Sequence, residues 1–508
     1  MVALANRAQA ARPSHQIPIT ALAAAVSVAL IAAALAAPHA LHDPLWQDEV
    51  ASARILEQPT LLAALHRIRE TESTPPLWYI LGWLLHRAGV AITQVRFLSV
   101  SFMSIGAALT VILARRVLSV PLAGLAGLLI AVGTGFFAHS HELRAYALLV
   151  LLASVFAIVL ADEVREPTRR NEVALCMCTT AGLLTHYFFL FTLVSAAVWL
   201  WLEPKARKTR RRASVSMLTG CALFAPFAPI ALSQYKHDHF WWIGRFSAQT
   251  VTSTAWRFFL PLYGHGIVRI GIAAMFLALA AVGSFQLGQR SSQGRLLVAL
   301  GFGPLIVSAV VWSLGLRIFS PRNLLECGPF FAVLAVAWLE FLPIRLRLLL
   351  AGGIVVVAFS SAAHLAGAKA TPFDRVASDL VAEGWTPGTP IALFNDFFSF
   401  RSPLEWYLPG HPPLALGVPT GRLCRTVFVI TPSATQSRFG NPVRRARAGS
   451  LAVERLRVAI PIGLSRRLRG ASWLIDPLQR SVCLKAVISG PFSARFSPTT
   501  TAGLGSSA

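Results

Sequence analysis

The chain has 508 residues, of which 55% are hydrophobic and only 13% are charged. A soluble globular chain carries roughly 25% charged residues, so the composition argues against an ordinary soluble protein and favours a chain with several membrane spans. The formal net charge is +24. Its Lys and Arg residues stand in short clusters between apolar runs, which is typical of cytoplasmic loops and not of a nucleic-acid surface.

The first apolar run covers residues 17–37 and follows Arg7 and Arg12. A secretory signal peptide is the alternative interpretation, but its apolar core is usually about 7–15 residues long. This run is nearer 20 residues, roughly the length that crosses a bilayer. We therefore expect an uncleaved first span with the N-terminus in the cytoplasm.

Five basic clusters fix the predicted topology, because each stretch between two cytoplasmic clusters must leave the cytoplasm and return. The clusters contain Arg115 and Arg116, Arg165 to Arg170, Lys205 to Arg212, Arg290 and Arg295, and Arg345 and Arg347. The predicted crossings after the first are 97–114, 117–138, 143–161, two within 172–202, 214–232, 268–287, 296–314, 324–342 and 348–366. This predicts a polytopic α-helical membrane protein with about 11 transmembrane helices.

The first outer loop, residues 38–94, contains two further apolar segments. Residues 75–90 are too short for a span. The first span already runs outward and 97–114 already returns to the cytoplasmic Arg115 and Arg116, so both ends of this segment must lie outside. Residues 59–68 have Leu and Ile at helical spacing with Pro59 near the start. Both segments are predicted to form helices at the membrane surface.

The composition changes after residue 366. Helical spacing at 374–383 and 400–408 alternates with short apolar strand candidates at 390–395 and 426–431, which predicts a small α/β domain. We expect a transmembrane domain over 1–366, the α/β domain over 367–496 and a disordered tail over 497–508. Cys424 and Cys483, two of the six cysteines, pair only if this domain is extracytoplasmic.

Four groups of polar residues fall on the predicted outer side of the membrane. They are Asp48 with Glu49, the run His139 to Tyr146, His186 with Tyr187, and Arg317 with Arg322. Each has a structural alternative: the acids as a helix cap, Glu142 and Arg144 as a surface ion pair, His186 as a buried turn residue, and Arg322 as an interface anchor. Their coincidence on one side favours a functional site.

These residue types suit the transfer of a sugar from a lipid phosphate. Transfer with inversion needs a carboxylate that orients or deprotonates the acceptor, and Asp48 or Glu49 fits that role. The departing phosphate needs cations and hydrogen-bond donors where negative charge grows. Arg144, His186 and Arg322 fit this second role.

Short motifs in the order 44–49 (PLWQDE), 74–79 (TPPLWY), 142–146 (ELRAY), 185–187 (THY) and 321–322 (PR) resemble the dolichyl-phosphate-mannose protein mannosyltransferase-like superfamily. That superfamily includes the bacterial lipid A aminoarabinose transferases. The resemblance covers roughly residues 15–365. It implies an inverting GT-C glycosyltransferase that uses a polyprenyl-phosphate sugar. Pro75 stands where the aminoarabinose transferases carry Lys, which leaves the sugar open.

The resemblance implies site residues as well. A catalytic acid is expected in the first outer loop, at Asp48 with Glu49 beside it. Substrate contacts are expected from His141, Glu142, Arg144, Tyr146, His186, Tyr187 and Arg322. No cofactor is expected, although His139, His141 and Glu142 leave a divalent cation open.

The resemblance also indicates where the protein acts and on what. The expected partners are the polyprenyl-phosphate donor, membrane lipid, and an acceptor lipid, protein or glycan. The expected location is the bacterial inner membrane, with the active site and the C-terminal domain in the periplasm. A transporter or flippase for a polyprenyl-linked substrate, or a polysaccharide polymerase or ligase, is the alternative.

Overall fold

The structure is a computed structural model that describes residues 18–236, 267–368 and 373–382, with short pieces between 243 and 254 and between 385 and 457. The predicted tail 497–508, both Cys424 and Cys483, and most of the outer loop 233–267 lie outside the described residues. The chain divides into two compact units. One contains Met1–His42 and Ser52–Ala368, and the other contains Asp43–Ala51 and Lys369–Ala508.

The first unit is helical, and a helix stands at each of the predicted crossings. The first half contains α1 Ile19–His42, α2 Gln47–Leu56 (whose first residues belong to the second unit), α3 Leu61–Thr71, α4 Leu77–Arg87, α5 Arg96–Arg115, α6 Val120–Val132, α7 Thr134–His139 and α8 Tyr146–Arg165. The second half contains α9 Arg169–Thr185, α10 Phe189–Leu202, α11 Arg210–Phe224, α12 Ala228–Lys236, α13 Ile267–Arg290, α14 Ser292–Ser313, α15 Gly328–Ala337 and α16 Ile344–Ala368.

Six stretches of helix are long and apolar enough to cross a membrane among the residues described. They are Ile19–His42, Ile92–Arg115, Tyr146–Arg165, Arg210–Lys236, Ser292–Ser313 and Pro321–Phe341, and Val120–Val132 and Phe189–Leu202 are shorter apolar helices. The chain is therefore a multi-pass helical membrane protein. The figure of about 11 crossings stays a prediction, because six of these helical stretches meet the criteria of length and hydropathy among the described residues.

Three of the predicted crossings are interrupted among the described residues. In the one at 214–232, a 3₁₀ turn at Ala225–Phe227 separates α11 from α12. The one at 117–138 is divided at Gly133 into α6 and α7. The one at 324–342 starts as a 3₁₀ helix, Pro321–Cys327, before α15 continues it. At this junction a side chain on Gly328 would overlap the ring of Phe136, so a glycine lets the two segments approach closely.

The two extra segments of the first outer loop are short helices, as the sequence predicts. Helices α3 and α4 have 11 residues each, or about 16 Å at the rise of an α-helix, which is too short to cross. The side chain of Thr60 accepts a hydrogen bond from the Ala63 amide (3.1 Å) and starts α3. Ala64 and Ile68 are its buried residues. The amphipathic pattern of residues 59–68 thus produces a helix with one buried face.

Close helix packing builds the core of the first unit, where α5 packs against α1, α6 and α8, and α1 packs against α6. A Cβ atom on Gly127 would lie 2.4 Å from a methyl carbon of Val111 and 2.8 Å from the backbone oxygen of Ala107. Small residues allow such approach in membrane proteins, where dispersion contacts drive association. Apolar side chains such as Leu30 are exposed on the outside, as expected for a surface that faces lipid.

Paired charges tie the helix ends that are predicted to be cytoplasmic. Arg116 binds Asp162 through both guanidinium nitrogens (2.8 and 2.9 Å). Arg295 binds the buried carboxylate of Glu203 in the same two-point manner (2.7 and 2.9 Å). The Arg295 hydrogen bonds hold the pKa of Glu203 below its usual value. These pairs join α5 to α8 and the end of α10 to α14.

The second unit contains α17 Phe373–Ala382 and four strands, β1 Ile391–Leu393, β2 Thr426–Pro432, β3 Ala446–Ala448 and β4 Leu451–Arg457. The sheet order is β1-β2-β4-β3; β1 and β2 are parallel, and the other two pairs are antiparallel. The Leu45 amide donates to the Tyr407 hydroxyl (2.6 Å), so the start of the first outer loop packs with this unit. Strands β1 and β2 lie at the strand candidates 390–395 and 426–431, and a separate α/β domain stays a prediction. The extent of a domain over 367–496 stays a prediction.

Candidate active site

The acidic pair Asp48 and Glu49 lies in the first turn of α2. Glu49 is buried, and its Oε2 accepts a hydrogen bond from the Trp46 amide (3.3 Å). A glutamate at the third position that reaches back to the residue before the helix is one half of a capping box. The capping role that the sequence left open for the pair is therefore filled by Glu49, while Asp48 remains half-exposed.

The loop between α7 and α8 is buried and held from two sides. His139 Nδ1 lies 2.6 Å from Glu142 Oε2. The hydroxyl of Ser99 donates to the backbone oxygens of Glu142 (2.6 Å) and Arg144 (3.3 Å). Ser99 lies on α5, so this helix fixes the backbone from which the side chains of Glu142 and Arg144 project. The surface ion pair that the sequence allowed for these two residues does not describe their buried positions.

The guanidinium group of Arg144 is fixed by an acid from the first outer loop. Its Nη1 donates to Glu72 Oε2 (2.9 Å) and to the Ser52 hydroxyl (3.3 Å). The same Glu72 oxygen accepts from the Tyr79 hydroxyl (2.8 Å), which also bonds Thr74 (2.9 Å). All five residues are buried. The TPPLWY motif thus contributes Thr74 and Tyr79 to a network that orients Arg144.

Burial raises the pKa of Tyr79 well above its ordinary value; Arg144 opposes this shift and Glu72 adds to it. The phenol therefore stays protonated and acts as a donor. A buried carboxyl group needs hydrogen-bond donors, and Arg144 and Tyr79 both donate to Glu72. The network therefore fixes the position of the Arg144 guanidinium group.

One of those neighbours is His186, in the turn between α9 and α10. Its Nδ1 accepts from the Phe188 amide (3.2 Å), so Nε2 carries the hydrogen. Nε2 is buried and has no hydrogen-bond partner among the described residues. Burial, with a smaller contribution from the charges of Arg144 and Arg322, lowers the pKa of His186 to about 3. A neutral N–H donor thus lies within the field of two guanidinium groups.

Two tyrosines connect these loops. The Tyr146 ring lies 4.6 Å from the His139 ring and 6.1 Å from the His186 ring, measured between centroids. The Tyr187 hydroxyl donates to Gln234 (2.7 Å). The amide group of Gln234 in turn donates to the backbone oxygens of Ile68 (3.0 Å) and Thr74 (3.3 Å). Tyr187 therefore supports the loop around Glu72, and its hydroxyl is committed to that contact.

The structure gathers some of the predicted residues and separates others. Glu142, Arg144, Tyr146, His186 and Arg322 are joined by hydrogen bonds, ring contacts or electrostatic influence within the first unit. His141 instead lies against the rings of His39 (5.1 Å) and Phe137 (5.4 Å). Arg317 is exposed, and Arg322 is partly buried at the start of the 3₁₀ helix. Asp48 and Glu49 belong to the second unit.

Sequence reasoning missed Glu72. This acid follows Arg67, Arg69 and Glu70 on α3, and such a mixed charged run reads as a solvated helix face. The available signal is its position two residues before the TPPLWY motif. The motif itself does not indicate that Tyr79 binds Glu72, which lies outside it.

The residues considered for a divalent cation do not fit one as they stand. His139 Nδ1 and Glu142 Oε2 are joined by a direct hydrogen bond of 2.6 Å, which leaves no position for an ion between them. His141 is turned towards other aromatic rings. A metal ligand set of His139, His141 and Glu142 would need these side chains to rearrange, and we derive no chemical step from it.

No family model and no curated protein matches the chain, but solved structures do. The chain is similar to ArnT from Cupriavidus metallidurans in the apo state, with a TM-score of 0.51 and 13% identity over 85% of this chain and 97% of that chain. For the same ArnT bound to undecaprenyl phosphate, the TM-score is 0.48 and the identity is 13%, over 86% of this chain and 97% of that chain. For an oligosaccharyltransferase from Archaeoglobus fulgidus in complex with Zn and sulfate, the TM-score is 0.45 and the identity is 12%, over 77% of this chain and 61% of that chain.

At this identity the likeness to ArnT establishes the fold. The chain has the fold of that ArnT structure, a polytopic helical membrane fold of the kind that its motifs predict. The expected class of architecture is therefore confirmed by a comparison that does not depend on those short motifs.

Proposed function

We propose that this protein is an inverting membrane glycosyltransferase that moves a sugar from a polyprenyl-phosphate donor to an acceptor outside the cytoplasm. The observation that carries the proposal is the position of the buried His186 N–H in the field of buried Arg144 and partly buried Arg322. A donor that has no partner in the part of the chain that the structure describes, and that lies in the field of two guanidinium groups, suits an anionic ligand. The fold and the motif resemblance support a lipid-linked phosphate as the class of ligand.

The chemistry uses these groups on the leaving side. When the acceptor oxygen attacks the anomeric carbon, the bond from that carbon to the phosphate oxygen breaks, and polyprenyl phosphate departs with the electron pair. Arg144 and Arg322 stabilise the growing negative charge, and His186 donates a hydrogen bond. Each charge-assisted hydrogen bond contributes about 1.5–3 kcal/mol. With a pKa of about 3, the His186 side chain is a neutral imidazole, and its Nε2–H still donates a hydrogen bond.

Asp48 is our candidate for the acceptor side. The resemblance assigns the acid of the first outer loop to acceptor activation, and Glu49 is occupied as a helix cap. In this role the Asp48 carboxylate takes the proton of the acceptor hydroxyl or amide as the new glycosidic bond forms. Tyr146, Glu142 and His141 remain candidates for sugar contacts, and Tyr187 supports the loop that holds Glu72.

The proposed setting is the bacterial inner membrane, with the site and the C-terminal unit on the periplasmic side. This orientation rests on the basic clusters that are predicted to be cytoplasmic. The acceptor is a lipid, a protein hydroxyl or amide, or a surface glycan. No bound cofactor is required by the proposal, because the charge on the leaving phosphate is matched by side chains of the chain itself.

Asp48→Asn provides the test. A strain without the gene is complemented with the wild type, with Asp48→Asn or with Glu57→Gln, an exposed acid of the same loop, at matched membrane levels. Mass spectrometry of envelope lipids and glycans identifies the sugar that disappears in the deletion. We expect Asp48→Asn to lower its transfer at least about a hundredfold, with Glu57→Gln near the wild type. Undiminished transfer by Asp48→Asn would refute the catalytic role.

A transporter of a polyprenyl-linked substrate is the second candidate, and one observation favours it. Glu326 is completely buried in a candidate span, within the 3₁₀ stretch, and neither carboxylate oxygen has a hydrogen-bond partner among the described residues. Buried acids in broken helices are typical of transporters. A sugar that reaches the outer leaflet only with this protein, but still on its carrier, would indicate transport. A lipid-linked oligosaccharide donor would indicate a polymerase or ligase.

A further inference from the structure

A groove of about 500 Å³ lies between α9 and α11, at the end of these helices that is predicted to be cytoplasmic. Further along, the helices touch closely: a Cβ atom on Gly220 would lie 2.6 Å from Thr179 and 2.7 Å from the Cys176 backbone oxygen. The groove occupies the first turns, before this contact. It belongs to the transmembrane unit and includes none of the candidate active-site residues.

The charge of the groove is positive. Arg169, Arg211 and Arg212 line it, and Glu172 is its one acid. Glu172 accepts hydrogen bonds from Arg212 and Arg169, so two of the three arginines share one carboxylate. Arg211 is exposed and forms no ion pair with any described residue. The net balance of the lining therefore favours an anion.

The rest of the groove is apolar and open to the surroundings. Val173, Met177 and Val215 are each about half exposed, at 49%, 57% and 54%. They lie on the same helices as the arginines, one to two turns further into the apolar part. A ligand that satisfies both regions has an anionic head and hydrocarbon chains. Basic pockets between transmembrane helices on the cytoplasmic side bind such lipid headgroups.

We propose that this groove binds an anionic phospholipid of the cytoplasmic leaflet. Its phosphate lies against Arg211 and Arg169, and its acyl chains run along Val173, Met177 and Val215. Helices α9 and α11 start at Arg169 and Arg210. The positive ends of their dipoles therefore also attract the phosphate. The proposal concerns a lipid that supports the fold and does not depend on the proposed glycosyl transfer.

The experiment is a titration of the detergent-solubilised full chain with tail-labelled phosphatidylglycerol, with phosphatidylcholine as the neutral lipid. We expect the affinity for phosphatidylglycerol to fall about fivefold for each of Arg169→Gln and Arg211→Gln. Val215→Trp, which fills the groove without a change of charge, should also weaken binding. Glu172→Gln should strengthen it, because Arg169 and Arg212 are then released towards the phosphate.

Arg207→Gln is the matched control, since Arg207 is exposed on the same basic loop but does not line the groove. It should bind as the wild type does. Equal affinity for phosphatidylcholine, or equal loss in Arg207→Gln and Arg211→Gln, would overturn the proposal in favour of a general charge effect. Displacement of the lipid by millimolar inorganic phosphate would identify a free anion as the ligand and also overturn it. Unchanged elution in size-exclusion chromatography verifies that each variant is folded.

Discussion

At the scale of single residues, the candidate site depends on how one arginine is held. Arg144 is buried and paired with Glu72, and Glu72 is paired in turn with Tyr79. A long cationic side chain has many rotamers, and fixing it in advance removes that entropic cost from substrate binding. The structure therefore adds to the sequence-derived candidates an acid whose role is to position a cation.

Glu72→Gln tests this positioning role. The amide keeps the size of the side chain but removes the charge that holds Arg144, and breaking a buried pair costs about 3–5 kcal/mol. We expect sugar transfer per folded molecule to fall about tenfold or more, mainly through a higher KM for the lipid-phosphate donor. Glu72→Asp should recover part of the loss.

Glu70→Gln is the control for that variant, because Glu70 lies two residues away and its pair with His66 is exposed. Its transfer should match the wild type. If Glu72→Gln changes only the amount of folded protein, with KM and kcat unaltered, the residue is structural and does not position Arg144 for substrate.

At the scale of elements, close contacts between helices set the packing. Helices α9 and α11 meet at Gly220, where Thr180 donates a hydrogen bond to the Gly220 backbone oxygen (3.1 Å). Weak polar contacts of this kind and small residues hold membrane helices together, since lipid is as apolar as the side chains.

Gly220→Ala is predicted to destabilise the protein, because the added methyl group has no room against Thr179 and Cys176. Overpacking typically costs about 1–3 kcal/mol, so the midpoint of thermal unfolding in detergent should fall. Gly352→Ala is the matched control: Gly352 is also helical, with nothing within 4 Å of the added carbon. Alanine favours the helix there, so this midpoint should stay level or rise. Equal midpoints for the two variants would contradict the α9–α11 contact.

At the scale of the whole molecule, charge asymmetry predicts which ends of the helices face the cytoplasm. Lys205 to Arg212 lie on one predicted side, and the surface helix α3 lies on the other. The positive-inside bias sets orientation because basic loops are retained in the cytoplasm. The site, the surface helices and the C-terminal unit all take their predicted location from this one rule.

Cysteine labelling in intact cells measures that orientation. In a background without the six native cysteines, His66→Cys on α3 should react with a membrane-impermeant maleimide once the outer barrier is opened. Lys208→Cys, equally exposed, should react only after the inner membrane is permeabilised. The reverse pattern would invert the topology and place the candidate site in the cytoplasm.

The sequence by itself determined the helical class, the positions of the helices and most of the candidate residues. Long apolar runs and basic clusters are formed by consecutive residues, so they can be recognised directly in the sequence. The alternation of short strands after residue 366 also predicted β1 and β2 near their observed places. The short helices α3 and α4 followed from counting crossings, because a segment that cannot span must lie on one side.

Only the tertiary structure decided which polar residues bind one another. Glu72 and Arg144 are 72 positions apart, and Tyr187 reaches residue 74 only through Gln234. The tertiary structure also assigned residues 43–51 to the unit that contains Tyr407. Buried polar groups select partners by distance and by the need to satisfy every hydrogen bond, and neither condition leaves a pattern in sequence spacing. The sequence thus specified the helices, while their packing specified the site.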